Sequence, residues 1–204
     1  MLKPNSNTVD VGCNRGSVLS EILALAPQGQ HWAFEPIPRL YNLLKRRFPT
    51  VQLFQTALAA SPGQVQFNYF RDMDGFSGLV RRQLDVDPGR VELLTVETQP
   101  LDEMFPIHLD LHLIKIDVEG AELGVLTGAK NLLRRCRPVV VFECGKGGLD
   151  LYQQKPEEVY DLLVSMGYRL QPLAHWNQNG PGLSRDEFHD RFWNSPEYMY
   201  VADL

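Results

Sequence analysis

The feature that most constrains the fold is a glycine turn near the N-terminus. It reads Asp10-Val-Gly12-Cys-Asn14-Arg-Gly16, follows a short β-branched segment, and is itself followed by apolar residues at helical spacing. This pattern predicts a strand, a turn and a helix, the first unit of a parallel α/β sheet. Such sheets bind ligands at the carboxyl ends of their strands, where this turn falls. Gly12 and Gly16 lack a Cβ, so a ligand can lie against the backbone.

The residues of the turn separate three classes of cofactor. A nucleoside-triphosphate loop needs a lysine after its last glycine, and none follows Gly16. A dinucleotide fingerprint needs a middle glycine, and Asn14 stands in that place. Asp10, at the strand end, would repel a pyrophosphate. A ligand that carries an amine and a carboxylate suits the turn better, and S-adenosylmethionine (SAM) is such a ligand.

Composition limits the class of protein. The chain has 204 residues, of which 44% are hydrophobic and 22% charged, which is typical of one globular domain spanning residues 1–204. A formal net charge of −5 argues against a nucleic-acid partner. The three cysteines lack metal-ligand spacing, and no segment resembles a signal peptide or a membrane span. We therefore expect a cytoplasmic protein without a membrane segment.

A second acidic residue follows the next predicted strand. Glu35 lies about twenty positions after Gly16, the spacing at which an acidic residue binds the ribose of a cofactor in Rossmann-like folds. We expect this carboxylate to lie at a strand end outside the core. A third strand is predicted over residues 51–58, and the fold places Ala57 beside an adenine ring.

Residues 64–98, approximately, break the alternation of strands and helices. Two alternating segments flank a polar, glycine-bearing loop, which predicts an inserted hairpin. The loop at 71–90 is either a lid over the pocket or an ordinary surface loop, and the sequence leaves both open.

Acidic residues cluster after two further predicted strands. Asp117 and Glu119 follow a strand at 111–117, a helix is predicted from about 121 to 135, and Glu143 follows a strand at 138–142. Carboxylates so close repel one another unless a cation, a ligand amine or a proton neutralises them. These three are the candidates for a catalytic base. They are equally candidates for binding a divalent cation, and oxygen ligands favour magnesium over zinc. The sequence does not decide between the two roles.

The C-terminal third is read as a helix at 156–166 and two closing strands at 168–173 and 198–202, which we expect to pair antiparallel. The segment at 174–196 between them is predicted to be irregular.

Taken together, these motifs resemble the FkbM family of SAM-dependent methyltransferases. The resemblance spans nearly the whole chain, and the I-D-V-E-G-A-E segment is its most family-specific part. It rests on the glycine turn with Ser20, Phe34-Glu35-Pro36, Phe76-Ser77-Gly78, Leu101-Asp102, Lys115 to Glu122, Phe142-Glu143 and Tyr198-Met199-Tyr200.

The resemblance implies a class I methyltransferase fold. This is a Rossmann-like α/β three-layer sandwich, with a seven-stranded, mostly parallel sheet of order 3-2-1-4-5-7-6 and an antiparallel last strand. It also implies O-methylation of a hydroxyl on a sugar, polysaccharide or natural product, so the partner would be a small-molecule or glycan acceptor. The residues it implies for SAM binding are Asp10, Gly12, Asn14, Gly16, Ser20, Glu35, Ala57 and Asp117.

Two other functions are compatible with parts of the pattern. A nicotinamide-dependent oxidoreductase also uses a glycine turn and a downstream acidic residue, although the missing middle glycine argues against it. A non-catalytic SAM-binding module would not need the acidic residues at Asp117, Glu119 and Glu143, and their presence argues for an enzyme.

Overall fold

The computed structural model describes residues 2–80 and 90–204. In chain order its elements are β1 (Thr8–Val11), α1 (Ser17–Leu25), β2 (His31–Phe34), α2 (Pro38–Arg47), β3 (Gln52–Phe54), β4 (Ala57–Leu58), β5 (Gly63–Phe70), β6 (Val91–Gln99), α3 (Leu101–Met104), β7 (Leu113–Ile116), α4 (Glu122–Thr127), α5 (Lys130–Cys136), β8 (Val139–Glu143), α6 (Pro156–Val164), β9 (Arg169–Pro172), α7 (Arg185–Asn194) and β10 (Met199–Asp203). Short 3₁₀ turns lie at Asp74–Phe76, Leu149–Tyr152 and Leu173–His175.

Within the described residues, seven strands form the main sheet in the order β3-β2-β1-β7-β8-β10-β9. The neighbours from β3 to β8 pair in parallel, whereas β10 is antiparallel to both β8 and β9. Numbered along this sheet alone, the order is 3-2-1-4-5-7-6 with strand 7 antiparallel. The predicted fold class is confirmed, as is the antiparallel pairing of the two closing strands.

Helices cover both faces of the sheet, which makes three layers. Along β2, Ala33 packs in one cluster with Leu19 of α1 and Leu44 of α2. Its neighbours Trp32 and Phe34 pack in a second, larger cluster that contains buried residues of α4 to α7. Successive side chains of a strand point to opposite faces, so the two clusters lie on opposite sides of the sheet. Burial on both faces explains why the central strands are mostly apolar, with Asp10 in β1 and Lys115 in β7 as charged exceptions.

A smaller sheet of order β4-β6-β5 carries the inserted hairpin. Its strands β5 and β6 pair antiparallel from Gly63 opposite Thr98 to Phe70 opposite Val91. The hairpin packs through Phe67, Tyr69 and Val96 against Ile37 and the start of α2. This contact places the hairpin beside the carboxyl edge of the main sheet. The part of the predicted loop at 81–89 lies outside the described residues.

Three predictions about single elements are wrong. The predicted strand at 51–58 is divided into β3 and β4, which belong to different sheets. The predicted helix at 121–135 is two helices, α4 and α5. They separate where Gly128 meets the loop at Ala59, whose carbonyl oxygen would be 2.1 Å from a Cβ on Gly128. The segment at 174–196 contains α7, which begins at a capping box formed by Ser184 and Glu187.

Across residues 2–80 and 90–204, no helix is both long enough and apolar enough to cross a membrane.

Candidate functional site

The carboxyl ends of β1, β2 and β7 border a cavity of about 330 Å³. This volume falls within the range of small-molecule sites. Its walls come from the glycine turn, the segments that follow β2 and β7, the strand β4 and the turn after β5. Six of the residues predicted from the sequence line it: Gly12, Asn14, Glu35, Ala57, Asp117 and Glu119.

The local backbone conformation and a neighbouring carbonyl group require a glycine at position 12. Its φ is +71°, and a Cβ at this position would lie 1.9 Å from the carbonyl oxygen of Asp117. The glycine turn is thus in contact with the end of β7, and a side chain here would displace backbone before it met any ligand. The spacing of glycines in the sequence predicted a close approach by a ligand. The structure shows a close approach by the protein's own chain.

Glu35 joins the glycine turn to the end of β2. Its Oε2 accepts a hydrogen bond from the backbone N–H of Asn14 at 2.9 Å, and its Oε1 accepts one from the N–H of Ile37 at 3.0 Å. The residue is only 3% exposed, so the expectation that it lies outside the core is wrong. Burial raises the pKa of Glu35 to about 7, against the opposing effect of the two backbone N–H groups. Each oxygen can still accept one more hydrogen bond.

Lys115 is the functional residue that sequence reasoning missed. It lies within β7 with 5% exposure. Its Nζ is 3.2 Å from Oδ1 of Asp10 and 3.4 Å from Oδ2 of Asp117, and it donates to the carbonyl oxygen of Gly12 at 2.8 Å. Burial lowers the pKa of Lys115, but the two carboxylates outweigh this effect and raise it above its ordinary value. The available signal was a lysine in an otherwise apolar strand, since such a charge needs a partner.

Three residues predicted to bind the cofactor lie outside the cavity wall. Asp10 is 1% exposed and faces Lys115. Gly16 has φ +78°, and a Cβ on it would be 2.4 Å from Cε2 of Phe48, so it allows the close packing of α1 near the end of α2. Ser20 lies half-buried in α1, where its N–H donates to the carbonyl oxygen of Gly16. These three residues stabilise the glycine turn without lining the cavity.

The three acidic residues proposed as catalytic are brought together. One carboxylate oxygen from each of Asp117, Glu119 and Glu143 lies within 4.8 Å of the other two. Burial, together with the hydrogen bond to Asp117 and the nearby negative charges, raises the pKa of Glu143 to about 9. At neutral pH Glu143 therefore holds a proton, which it donates to Asp117. Asp117 also lies beside the Lys115 ammonium, with 3.4 Å between Nζ of Lys115 and Oδ2 of Asp117.

Glu119 is held in an uncommon backbone conformation by a buried neighbour. Its φ is +58°, and Gly120 follows with φ +104°. The Oε1 atom of Glu122 accepts hydrogen bonds from the N–H groups of Val118, at 3.0 Å, and Gly120, at 3.2 Å. Glu122 is 1% exposed, and burial raises its pKa to about 7. This carboxylate fixes the loop on both sides of Glu119.

Comparison with known proteins identifies the family of this chain. The sequence model of the methyltransferase FkbM domain matches residues 10–170. The chain belongs to the FkbM family of methyltransferases. The 2-O-methyltransferase NoeI of Sinorhizobium fredii is 31% identical over 150 residues, which cover 66% of this chain and 62% of NoeI. The methyltransferase sdnD of Sordaria araneosa is 28% identical over 159 residues, covering 62% of this chain and 61% of sdnD. The match thus spans about three fifths of each of these relatives.

Solved structures share the fold. The FkbM methyltransferase from Methylobacillus flagellatus superimposes with a TM-score of 0.62 and 16% identity, covering 99% of this chain and 44% of that one. The precorrin-6y C5,15-methyltransferase from Geobacter metallireducens gives a TM-score of 0.51 at 15% identity, covering 98% and 81%. At these identities the likeness shows the class I architecture alone.

The residues around the cavity fit the SAM that an FkbM methyltransferase uses. Glu35 presents two carboxylate oxygens with accepting capacity left for a pair of ribose hydroxyls. The cavity also reaches Ala57 and Leu58, which offer an apolar surface to a ring. Cys13 lines the cavity as well, but burial raises the pKa of its thiol, so the thiolate is disfavoured.

Proposed function

We propose that this FkbM-family chain is an O-methyltransferase that transfers a methyl group from SAM to a hydroxyl of a sugar, polysaccharide or natural-product acceptor. The observation that carries the proposal is the carboxylate of Asp117, which lines the cavity and lies beside both the Lys115 ammonium and the protonated Glu143. A hydroxyl is a poor nucleophile until a base removes its proton. We assign the role of that base to Asp117.

Binding of SAM is assigned to the residues that line the cavity. Glu35 would accept hydrogen bonds from the ribose hydroxyls, Gly12 and Asn14 would border the methionine part, and Ala57 would border the adenine. Bound SAM supplies a methyl group on a positively charged sulfur, which leaves as a neutral thioether. Alignment of the acceptor oxygen with that methyl group contributes much of the rate, because a positioned encounter replaces a bimolecular one.

The proton chemistry follows from the charges around Asp117. The acceptor O–H donates to a carboxylate oxygen of Asp117, and its proton moves there as the oxygen acquires the methyl group. The hydrogen bond from Glu143 orients the carboxylate, and Lys115 holds it at the end of β7. A carboxylate oxygen of Glu119 lies within 4.8 Å of one from Asp117, so Glu119 would be able to pass the proton onward.

The choice of oxygen as the methyl acceptor is supported by one relative. NoeI is named a 2-O-methyltransferase, whereas the name of sdnD specifies only a methyltransferase. Membership of the FkbM family favours methyl transfer over the nicotinamide-dependent alternative. A SAM-binding module without catalysis has no need of a base in the cavity, and activity of the wild type distinguishes it from an enzyme.

The test is a methyl-transfer assay with Asp117→Asn. This variant keeps the shape of the side chain and removes its charge. SAM with an isotopically labelled methyl group is incubated with panels of sugars, oligosaccharides and hydroxylated natural products, and products are read by mass spectrometry. The rate should fall by about 10²–10⁴, the usual contribution of a general base. The affinity for S-adenosylhomocysteine should change much less. Asp110→Asn, at an exposed site before the opposite end of β7, is the matched control.

A chelator separates the base from a divalent cation held by the same three carboxylates. In the base mechanism a chelator leaves the wild-type rate unchanged. Inhibition that magnesium reverses would instead assign Asp117, Glu119 and Glu143 to a cation. Normal turnover by Asp117→Asn, without an effect of chelator, would contradict both roles.

A further inference from the structure

The turn after β5 forms one wall of the cofactor cavity. Its 3₁₀ turn, Asp74–Phe76, is followed by a return of the chain onto β5, where Asn68 and Gly78 exchange backbone hydrogen bonds of 2.8 and 3.1 Å. The Ser77 hydroxyl accepts a hydrogen bond from the N–H of Phe70 at 3.0 Å. We call residues 74–79 the roof segment. Asp74, Gly75, Ser77 and Leu79 line the cavity.

The roof segment reaches the glycine turn on one side and the acidic residues on the other. A Cβ on Gly75 would be 4.0 Å from Nδ2 of Asn14, and a Cβ on Gly78 would be 3.6 Å from Cβ of Glu119. The hydroxyl of Tyr152 accepts a hydrogen bond from the N–H of Leu79 at 3.1 Å. The segment thus spans the cavity between the glycine turn, to which SAM is assigned, and the acidic residues that are assigned to the acceptor.

A buried carboxylate fastens this segment. Oδ1 of Asp74 accepts from Arg39 at 2.6 Å, and Oδ2 accepts from Arg39 at 2.7 Å and from Arg15 at 2.8 Å. Arg15 belongs to the glycine turn and Arg39 to the first turn of α2, so one side chain joins the roof to both flanks. The hydroxyl of Tyr69 accepts from Nε of Arg39 at 2.8 Å and holds that guanidinium in place.

Exposure differs sharply across these ion pairs. The Asp74 side chain is 3% exposed, whereas those of Arg15 and Arg39 are 63% and 55% exposed. Burial raises the pKa of Asp74, but the hydrogen bonds from the two arginines outweigh this effect and lower it, so the carboxylate is ionised at neutral pH. Exposed arginine side chains can move into water without disturbing the core. The contact can therefore open without unfolding of the main sheet.

We propose that Asp74 is a positioning residue that latches the roof segment over the cofactor cavity, so that SAM and S-adenosylhomocysteine exchange only when its ion pairs with Arg15 and Arg39 open. The proposal rests on the assignment of SAM to this cavity. It adds a step that the acidic residues do not explain, namely how a cofactor enters a cavity bordered on the hairpin side by the roof segment.

The test measures exchange rates of S-adenosylhomocysteine by surface plasmon resonance on the immobilised full chain. Asp74→Asn should raise both the association and the dissociation rate constants by about tenfold, the effect of losing charge-assisted hydrogen bonds. The dissociation constant should then change by less than about threefold, because a latch acts on both rates. Arg39→Gln should act in the same direction, and the double variant should add little beyond Asp74→Asn. Rising ionic strength should speed exchange in the wild type and not in Asp74→Asn.

Glu92→Gln is the matched control. It removes an exposed ion pair with Arg71 on the same hairpin, away from the cofactor cavity, and should leave both rates unchanged. Thermal unfolding of each variant is measured alongside, because a purely structural role would lower the melting temperature without changing exchange rates. If Asp74→Asn does not fold, Arg39→Gln and the salt dependence decide the question.

Three results would overturn the latch. Exchange at the wild-type rates in Asp74→Asn and Arg39→Gln would show that the ion pairs do not gate the cavity. A rise in the dissociation rate alone would indicate a direct contact with the ligand. If the folded wild type does not bind S-adenosylhomocysteine, the cofactor assignment fails along with the latch. If the wild type binds S-adenosylhomocysteine but the variants exchange it at the wild-type rates, only the latch is wrong and the cofactor assignment stands.

Discussion

Replacement of Lys115 by methionine should destabilise the protein more than an ordinary core substitution. Methionine has a similar length but no charge. The ammonium of Lys115 is 3.2 Å from Asp10, which is 1% exposed. Within the described residues, neither carboxylate oxygen of Asp10 has a hydrogen-bond donor that could replace it. Removing one partner of a buried pair leaves an uncompensated charge and costs about 3–5 kcal/mol.

A second substitution distinguishes the stability lost through the unpaired charge of Asp10 from stability lost through poorer packing. Lys115→Met combined with Asp10→Asn removes both charges and keeps similar volumes. Replacement of a whole buried ion pair by uncharged residues is often close to neutral. The double variant should therefore recover most of the loss. Urea-induced unfolding of the wild type, both single variants and the double variant gives the free energies of unfolding for this comparison.

The pH dependence of the single variant supplies an independent check. Without Lys115, burial keeps the pKa of Asp10 above its ordinary value, with no cation to oppose it. The folded state then binds a proton more readily than the unfolded state, so stability falls as pH rises from about 4 through the raised pKa. The deficit relative to the wild type should be smallest in acid. A loss below about 1 kcal/mol at neutral pH, with no recovery in the double variant, would refute this reasoning.

Three further outcomes are expected. Gly12→Ala should lose stability and cofactor binding together, because the added Cβ would lie 1.9 Å from the carbonyl oxygen of Asp117. Gly147→Ala is the control: it also has a positive φ, +84°, but a Cβ there meets nothing within 4 Å. Thermal unfolding should show that Gly147→Ala lowers the free energy of unfolding by only about 1 kcal/mol. Glu35→Gln should weaken S-adenosylhomocysteine binding by about 1.5–3 kcal/mol for each charge-assisted hydrogen bond lost, and equal affinity in calorimetry would remove the ribose assignment. The pKa of Glu143 is raised from 4.5 to about 9 in the folded protein, so the folded state binds this proton more tightly than the unfolded state does. The free energy of unfolding should therefore decline as the pH rises between these two values. Glu143→Gln should flatten that decline when unfolding is measured across this pH range.

The order of the main sheet was predictable because its signals are local or belong to family motifs. The glycine turn, the acidic residues at the carboxyl ends of β2, β7 and β8, and the mostly apolar strands are each visible in a short stretch of sequence. The break between α4 and α5 was not, because it depends on the contact of Gly128 with the distant Ala59. The division of residues 51–58 between two sheets likewise depends on pairing with β6.

The candidate site was predictable in part for the same reason. Residue type and strand-end position were enough to bring Asp117, Glu119 and Glu143 together. They did not show that Asp10 would turn to Lys115 instead of the cavity, since the two residues belong to strands far apart in the sequence. The contact between Asp74 and Arg39 was invisible too, because nothing in a hairpin loop specifies which helix it will meet.

Binding of SAM in the cavity beside Glu35 underlies the proposed chemistry. Isothermal titration of the folded wild type with S-adenosylhomocysteine, and separately with NAD, tests this binding. We expect saturable binding of one S-adenosylhomocysteine per chain and no measurable heat with NAD. Binding of NAD, or a well-folded protein that binds neither compound, would contradict it.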